Sequence, residues 1–117
     1  MDSQTFSIYI LDFDWNYLFV NAFACKNLKL QAKDIIGRNM WSTFDAYNQD
    51  PHFLRLKAVT EKKVVSQITT VSPVTGQRIS ITSYPLTDCY YFAVSILPNK
   101  ASLLDELRQE MAKKSRV

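Results

Sequence analysis

Phe6-Ser-Ile-Tyr-Ile-Leu11, Asp12-Phe-Asp-Trp-Asn16 and Tyr17-Leu-Phe-Val-Asn21 form one continuous stretch on which the reading of the fold turns. Its two outer arms are rich in β-branched and aromatic residues, which suit a pleated surface. The Asp and Asn residues between them bond their own backbone and favour tight turns. The stretch therefore predicts a β-hairpin. Both arms are apolar at successive positions, so each strand is expected to be covered on both faces.

Beyond the hairpin the period changes. Phe23, Ala24, Leu28 and Leu30 suggest a short helix and Ala32-Lys-Asp-Ile-Ile36 another, with Gly37 placed to end it in the left-handed conformation. Met40, Trp41 and Phe44 make one apolar helical turn. Asp50-Pro51 is the clearest start signal in the chain, an N-cap carboxylate followed by proline at the first helical position. The helix it opens sets Phe53, Leu56 and Val59 or Thr60 on one face and runs out near Lys62-Lys63. Three strand signals follow: Val64 to Ser72, Arg78 to Tyr84 after the turn Pro73-Val-Thr-Gly76, and Tyr90 to Leu97. Ile79 and Ile81 alternate with Ser80 and Thr82, while Tyr90, Phe92, Val94 and Ile96 share a face. Short connections make these three strands an antiparallel meander. Leu97, Leu104, Leu107 and Met111 fall at heptad-like a/d spacing among charges, which predicts a C-terminal helix that needs a partner.

This order of elements resembles the PAS family across about residues 6 to 97. Tyr9-Ile-Leu-Asp12 and Tyr17-Leu-Phe-Val-Asn21-Ala22 look like the family's opening strand, Asp turn and strand ending in Asn. Asp34-Ile-Ile-Gly37-Arg38-Asn39-Met40-Trp41 is similar to its Gly-centred segment, and Ser83-Tyr84-Pro85-Leu86 to the end of its fourth strand. The resemblance implies an α+β fold: a PAS-like five-stranded antiparallel sheet with short helices on one face, a cavity between them, and a C-terminal exiting helix. The chain then divides into a sensor domain over 1–97 and a signalling or linker helix over 98–117. Many members end in Asp-Ile-Thr, where this chain has Ser95-Ile96-Leu97-Pro98.

The 117 residues fit one domain. Hydrophobic residues make up 47% and aromatics 13%, which excludes a disordered chain. The net charge of +3 sits unevenly: residues from Asn99 onward carry five basic and three acidic side chains, against nine and eight in the rest. A nearly neutral body offers no long-range attraction for a phosphate backbone. Tyr90-Tyr-Phe92 supplies aromatics without an adjacent Lys or Arg, so no nucleic-acid partner is expected. Cys25 and Cys89 are isolated, as in a reduced cytosolic chain. No apolar run approaches the roughly 20 residues of a membrane span. A cytoplasmic location without direct membrane contact is expected.

One His, no nucleophile elbow and no phosphate-cradling Gly loop leave nothing from which to assemble a triad or a P-loop. No catalytic residue and no metal ligand is nominated, and the chain is not read as an enzyme. Gly37-Arg38-Asn39 matches the opening of the LOV flavin-photosensor motif, but Met40 stands where the reactive Cys belongs. A thioether cannot ionise and add to a flavin, so LOV-type chemistry is not expected. A haem sensor needs an axial ligand, usually His. His52 follows Pro51 directly at a helix entrance, which points it to solvent or to local capping, so haem is not expected either. What remains is an apolar cavity with a few polar groups, the usual form of a small-molecule site. Strand faces and helices nominate Asn21, Met40, Trp41, Phe44, Phe53, Leu56, Ile68, Ile81, Ser83, Phe92 and Val94 as its lining. An ordinary core in which these residues fill one another's space is the equal alternative. Buried, Asn21 and Ser83 each need a hydrogen-bond partner, from backbone, water or ligand.

With the resemblance, the expectation is a sensory or signal-input domain that binds a small ligand or mediates homodimerisation. Its signal leaves through the C-terminal helix to a covalently linked effector, such as a histidine kinase, in a longer parent protein. A ligand-free dimerisation or protein-docking domain is the alternative.

Overall fold

The arms Phe6–Leu11 (β1) and Tyr17–Val20 (β2) pair antiparallel in the computed structural model, which describes residues 6–98 and 107–112. Asp12 builds the turn between them. Its Oδ1 accepts the backbone N–H groups of Asp14 and Asn16, and its Oδ2 accepts the Asn16 amide. The register slips after Ile10: Ile10 faces Phe19, but Leu11 faces Tyr17, leaving Leu18 as the extra residue of a bulge. The slip lets Tyr17 and Val20, three residues apart, both be buried.

Ala22–Leu28 (α1), Met40–Thr43 (α2) and Pro51–Glu61 (α3) follow, with 3-10 turns at Ala32–Asp34 and Asp45–Gln49. Asp50 caps α3 as its sequence predicts, accepting from the N–H groups of His52 and Phe53. Phe53, Leu56 and Thr60 form the buried side of this helix. The second helix expected at 32–36 shortens to one 3-10 turn. Tertiary pairing draws the chain out of it: the Gly37 N–H donates to Tyr17 O at 2.7 Å, and Tyr17 N–H donates to Arg38 O at 2.9 Å. Met40 N–H completes the seam with Trp15 O at 2.8 Å. Gly37 turns this corner at φ 85°.

Ser66–Val71 (β3), Arg78–Pro85 (β4) and Tyr90–Ile96 (β5) form the expected meander. The complete sheet has the order β2-β1-β5-β4-β3, every neighbour antiparallel. This is the expected α+β architecture. One row across the sheet runs Val20, Tyr9, Phe92, Ser83, Ser66, and the next runs Ser7, Val94, Ile81, Ile68. α1 packs on β1, and α3 on β3 and β4, so burial follows this inner face. The expectation that the first hairpin is covered on both faces does not hold among the described residues. Leu18 is 51% exposed and Phe19 45%, because β2 is an edge strand and the helices pack on one side.

Trp15 anchors one end of the core. It is buried, at a backbone φ of 68° that is uncommon for a bulky residue. Its indole N–H donates to Glu61 Oε2 at 2.9 Å, and its ring lies 5.4 Å from Trp41, 5.0 Å from Tyr90 and 5.7 Å from Phe92. Leu97 continues the ladder past β5 by donating to Arg78 O. Residues 107–112 are helical, with Leu107 and Met111 exposed, while Leu104 lies outside the described residues. No described helix is long and apolar enough to cross a membrane.

Candidate functional site

Alternation along the strands sends Ser7, Tyr9 and Leu11 of β1, Ile79 and Ile81 of β4, and Phe92, Val94 and Ile96 of β5 to the inner face. There they line a cavity of about 60 Å³. Tyr17 joins them from β2 because of the bulge. Asn27 and Leu28 approach from the end of α1, Met40 from α2, Tyr47 from the second 3-10 turn, and Phe53 and Leu56 from α3. Ser72, Thr75 and Gln77 complete the lining from the β3–β4 turn. The space is large enough to admit several waters. It is far smaller than the roughly 300–1,000 Å³ of drug-sized pockets.

No described residue lining the cavity is charged. Three phenols supply much of its polarity. Burial pushes the Tyr9 hydroxyl up to about 12, against a smaller opposing effect of its hydrogen bond with Ser7. Tyr17 is raised well above the ordinary tyrosine value, first by burial and then by the neighbouring Tyr47 and Tyr9. Tyr47 is raised too, by burial and then by Tyr9, with a hydrogen bond to Ser72 opposing. All three stay neutral at physiological pH, each able to donate and accept. Beside them the Asn27 Nδ2 is buried with no hydrogen-bond partner, an uncommon and costly condition for a side-chain amide.

Six of the nominated residues line this cavity: Met40, Phe53, Leu56, Ile81, Phe92 and Val94. The other five do not, and each has another occupation. Asn21 Oδ1 accepts from Ala24 N–H as the N-cap of α1 and from Ile8 N–H, both at 3.0 Å, while its Nδ2 donates to Phe6 O at 3.1 Å. Ser83 pairs with Thr60, hydroxyl to hydroxyl at 2.8 Å, and both are fully buried. Trp41 packs on Trp15 and lies 6.2 Å from Tyr47, with Lys57 Nζ 5.6 Å over its ring. Phe44 sits between Tyr17 and Tyr47, and Ile68 packs against the core opposite Ile81.

The lining residues that sequence reading missed are chiefly Tyr9, Tyr17, Tyr47 and Asn27. Counting back in twos from Leu11 finds Tyr9 and Ser7. Nothing periodic marks Tyr17, which needs the bulge, or Tyr47, which sits in a 3-10 turn. His52 does not line the cavity: its side chain is 64% exposed, with Nδ1 3.6 Å from Asp50 Oδ1. Cys25 and Cys89 are free thiols. Among the described residues no three His, Cys, Asp or Glu side chains gather as a metal site.

The fold is that of PAS domains. The PAS domain of BvgS from Bordetella pertussis matches 96% of this chain over 91% of its own, with a TM-score of 0.69 and 12% identity. The photoactive yellow protein domain of the sensor histidine kinase Ppr from Rhodospirillum centenum matches at TM-score 0.63 and 20% identity, over 80% of this chain and 86% of its own. The PAS domain of the quorum-sensing receptor RpfR from Cronobacter turicensis, in complex with BDSF, matches at TM-score 0.63 and 10% identity, over 84% and 99%. No family model and no curated protein matches the sequence.

Proposed function

We propose that this chain is a signal-input domain whose cavity takes a small molecule, and that its C-terminal helix relays occupancy to an effector such as a histidine kinase. One observation carries this reading: the uncharged cavity on the inner face of the sheet, with the buried Asn27 Nδ2 left unpaired beside it. The likeness to sensor-protein domains supports it, including RpfR domains described in complex with BDSF and with C12:0. The division into a sensor body to residue 97 and a linker helix from 98, in a cytoplasmic protein, belongs to the same proposal.

Homodimerisation is the second part. The outer face of the sheet exposes Phe6, Phe19 and Tyr84, with Leu18 beside them on the bulge. Exposed apolar patches of this kind favour contact with another protein surface. The exposed Leu107 and Met111 extend the same opportunity to the exiting helix.

Native mass spectrometry of gently purified protein tests the ligand: a retained small molecule is the expected result. Sedimentation of Leu104→Asp with Leu107→Asp tests the helix, with a shift toward monomer expected. A bare protein mass together with unchanged association would point instead to a ligand-free docking domain.

A further inference from the structure

Ligand charge is the property that this cavity specifies most sharply. Its described lining contains no Asp, Glu, Lys, Arg or His, and an ion moved there from water would lose its hydration without gaining a counter-charge. Two of the three phenols offer little substitute. Tyr9 is engaged with Ser7 and Tyr47 with Ser72, so hydroxyl partners already take up part of their bonding capacity.

The polar requirement is equally specific. Asn27 Nδ2 is a donor, it is buried, and no described group accepts from it. An occupant that pairs with it must bring an acceptor. The rest of the wall, including Phe53, Leu56, Ile81, Phe92 and Val94, asks for hydrocarbon. The 60 Å³ of space, far below that of a drug-sized pocket, sets the scale at a small molecule of a few heavy atoms.

We propose that the cavity selects a small uncharged molecule carrying one oxygen acceptor on a short apolar body, of the class of short-chain ketones, and rejects carboxylates, amines and phosphate esters. The proposal rests on the reading of this cavity as the ligand site. Its acceptor pairs with Asn27, and its hydrocarbon part lies against the strands and α3.

The test is an NMR titration of the full chain at neutral pH with four probes of matched size: 2-pentanone, butyrate, butylammonium and pentane. The expected result is that 2-pentanone shifts amide signals around Asn27, Ser72 and Phe92. It should bind at least about a hundredfold more tightly than either ion, the scale of burying an unpaired charge. Asn27→Leu should weaken 2-pentanone about tenfold, the worth of one hydrogen bond, and leave pentane unchanged. If butyrate or butylammonium binds as well as the ketone, charge selection is overturned while the cavity stands as a ligand site. If Asn27→Leu binds the ketone undiminished, the assigned acceptor contact is overturned. If none of the four shifts the cavity signals, the ligand reading itself falls. The probe comparison uses the unaltered chain and so holds whatever the variant's stability.

Discussion

Replacing Asn21 with alanine removes at least three hydrogen bonds where α1 meets the first strand, and these set a lower bound on the cost. The N-cap bond to Ala24 N–H is worth about 1 kcal/mol. The bonds to Ile8 N–H and Phe6 O, each between part-buried groups, add about 0.5–1.5 kcal/mol apiece. The expected loss is about 2–4 kcal/mol, a large share of the roughly 5–15 kcal/mol that holds a domain folded. In urea, with a slope of about 1–3 kcal/mol per molar, the midpoint should fall by roughly 0.7–4 M while the slope stays constant. Asn21→Asp sharpens the test. It keeps both acceptances and presents a negative charge to the N-terminus of α1, which favours one. The donation to Phe6 O is lost and a carboxylate oxygen is set against that carbonyl, so its cost should be at least about 1 kcal/mol. Both variants should be less stable than native. An alanine variant within about 0.5 kcal/mol of native would refute the assignment of Asn21 to structure.

The buried Thr60–Ser83 hydroxyl pair should show strong coupling: Thr60→Val and Ser83→Ala alone each strand a partner and cost about 1–3 kcal/mol, while the double variant costs clearly less than their sum. Additive costs in urea unfolding would show that the pair does not form. Lys63 Nζ lies 3.4 Å from the Phe13 ring centroid and 4.6 Å from that of Tyr90, and donates to the Tyr90 hydroxyl. A double-mutant cycle of Phe13→Leu with Lys63→Met should return a coupling of about 0.5–1 kcal/mol, and zero coupling would remove the cation–π contact. Raised phenols set an alkaline limit. Unfolded tyrosines ionise near 10, whereas folded Tyr9 does so only at about 12, so the native state keeps a proton that the unfolded state has lost. The stability from this group is intact below pH 10 and falls by about 1.4 kcal/mol per pH unit above it. Tyr9→Phe should make the decline in urea midpoint between pH 10 and 12 shallower, and an unchanged slope would contradict the burial of this hydroxyl.

Local chemistry was legible wherever a side chain acts on its own neighbourhood. The Asp12 turn, the Asp50-Pro51 helix start, the left-handed Gly37 and the alternation of Ile79, Ile81 and Phe92 all follow from residues a few positions apart. Six cavity residues came from the same kind of reasoning. Failures arose where long-range partners decided. Trp15 read as part of a turn, yet it is the hub of an aromatic cluster held by Glu61, 46 residues away. The second short helix gave way to a seam between residues 15–17 and 37–40. Ser83 was correctly read as a buried hydroxyl needing a partner, but alternation could not show that Thr60 supplies it.

The hairpin that opens the chain separates the two sources of information. Its composition and its Asp–Asn centre determine by themselves that two strands meet in a turn, because turn bonding spans at most four residues. Which face each residue takes was decided only in three dimensions. The bulge after Ile10 makes Leu18 the extra residue and turns Tyr17 inward with Val20, against the strict alternation of an unbroken strand. The sheet then sets Tyr9 beside Phe92 and brings Asn27 and Tyr47 over the same face, so the cavity exists only once β5 and the helices have packed. Periodicity records how a segment presents itself; register and packing determine what it meets.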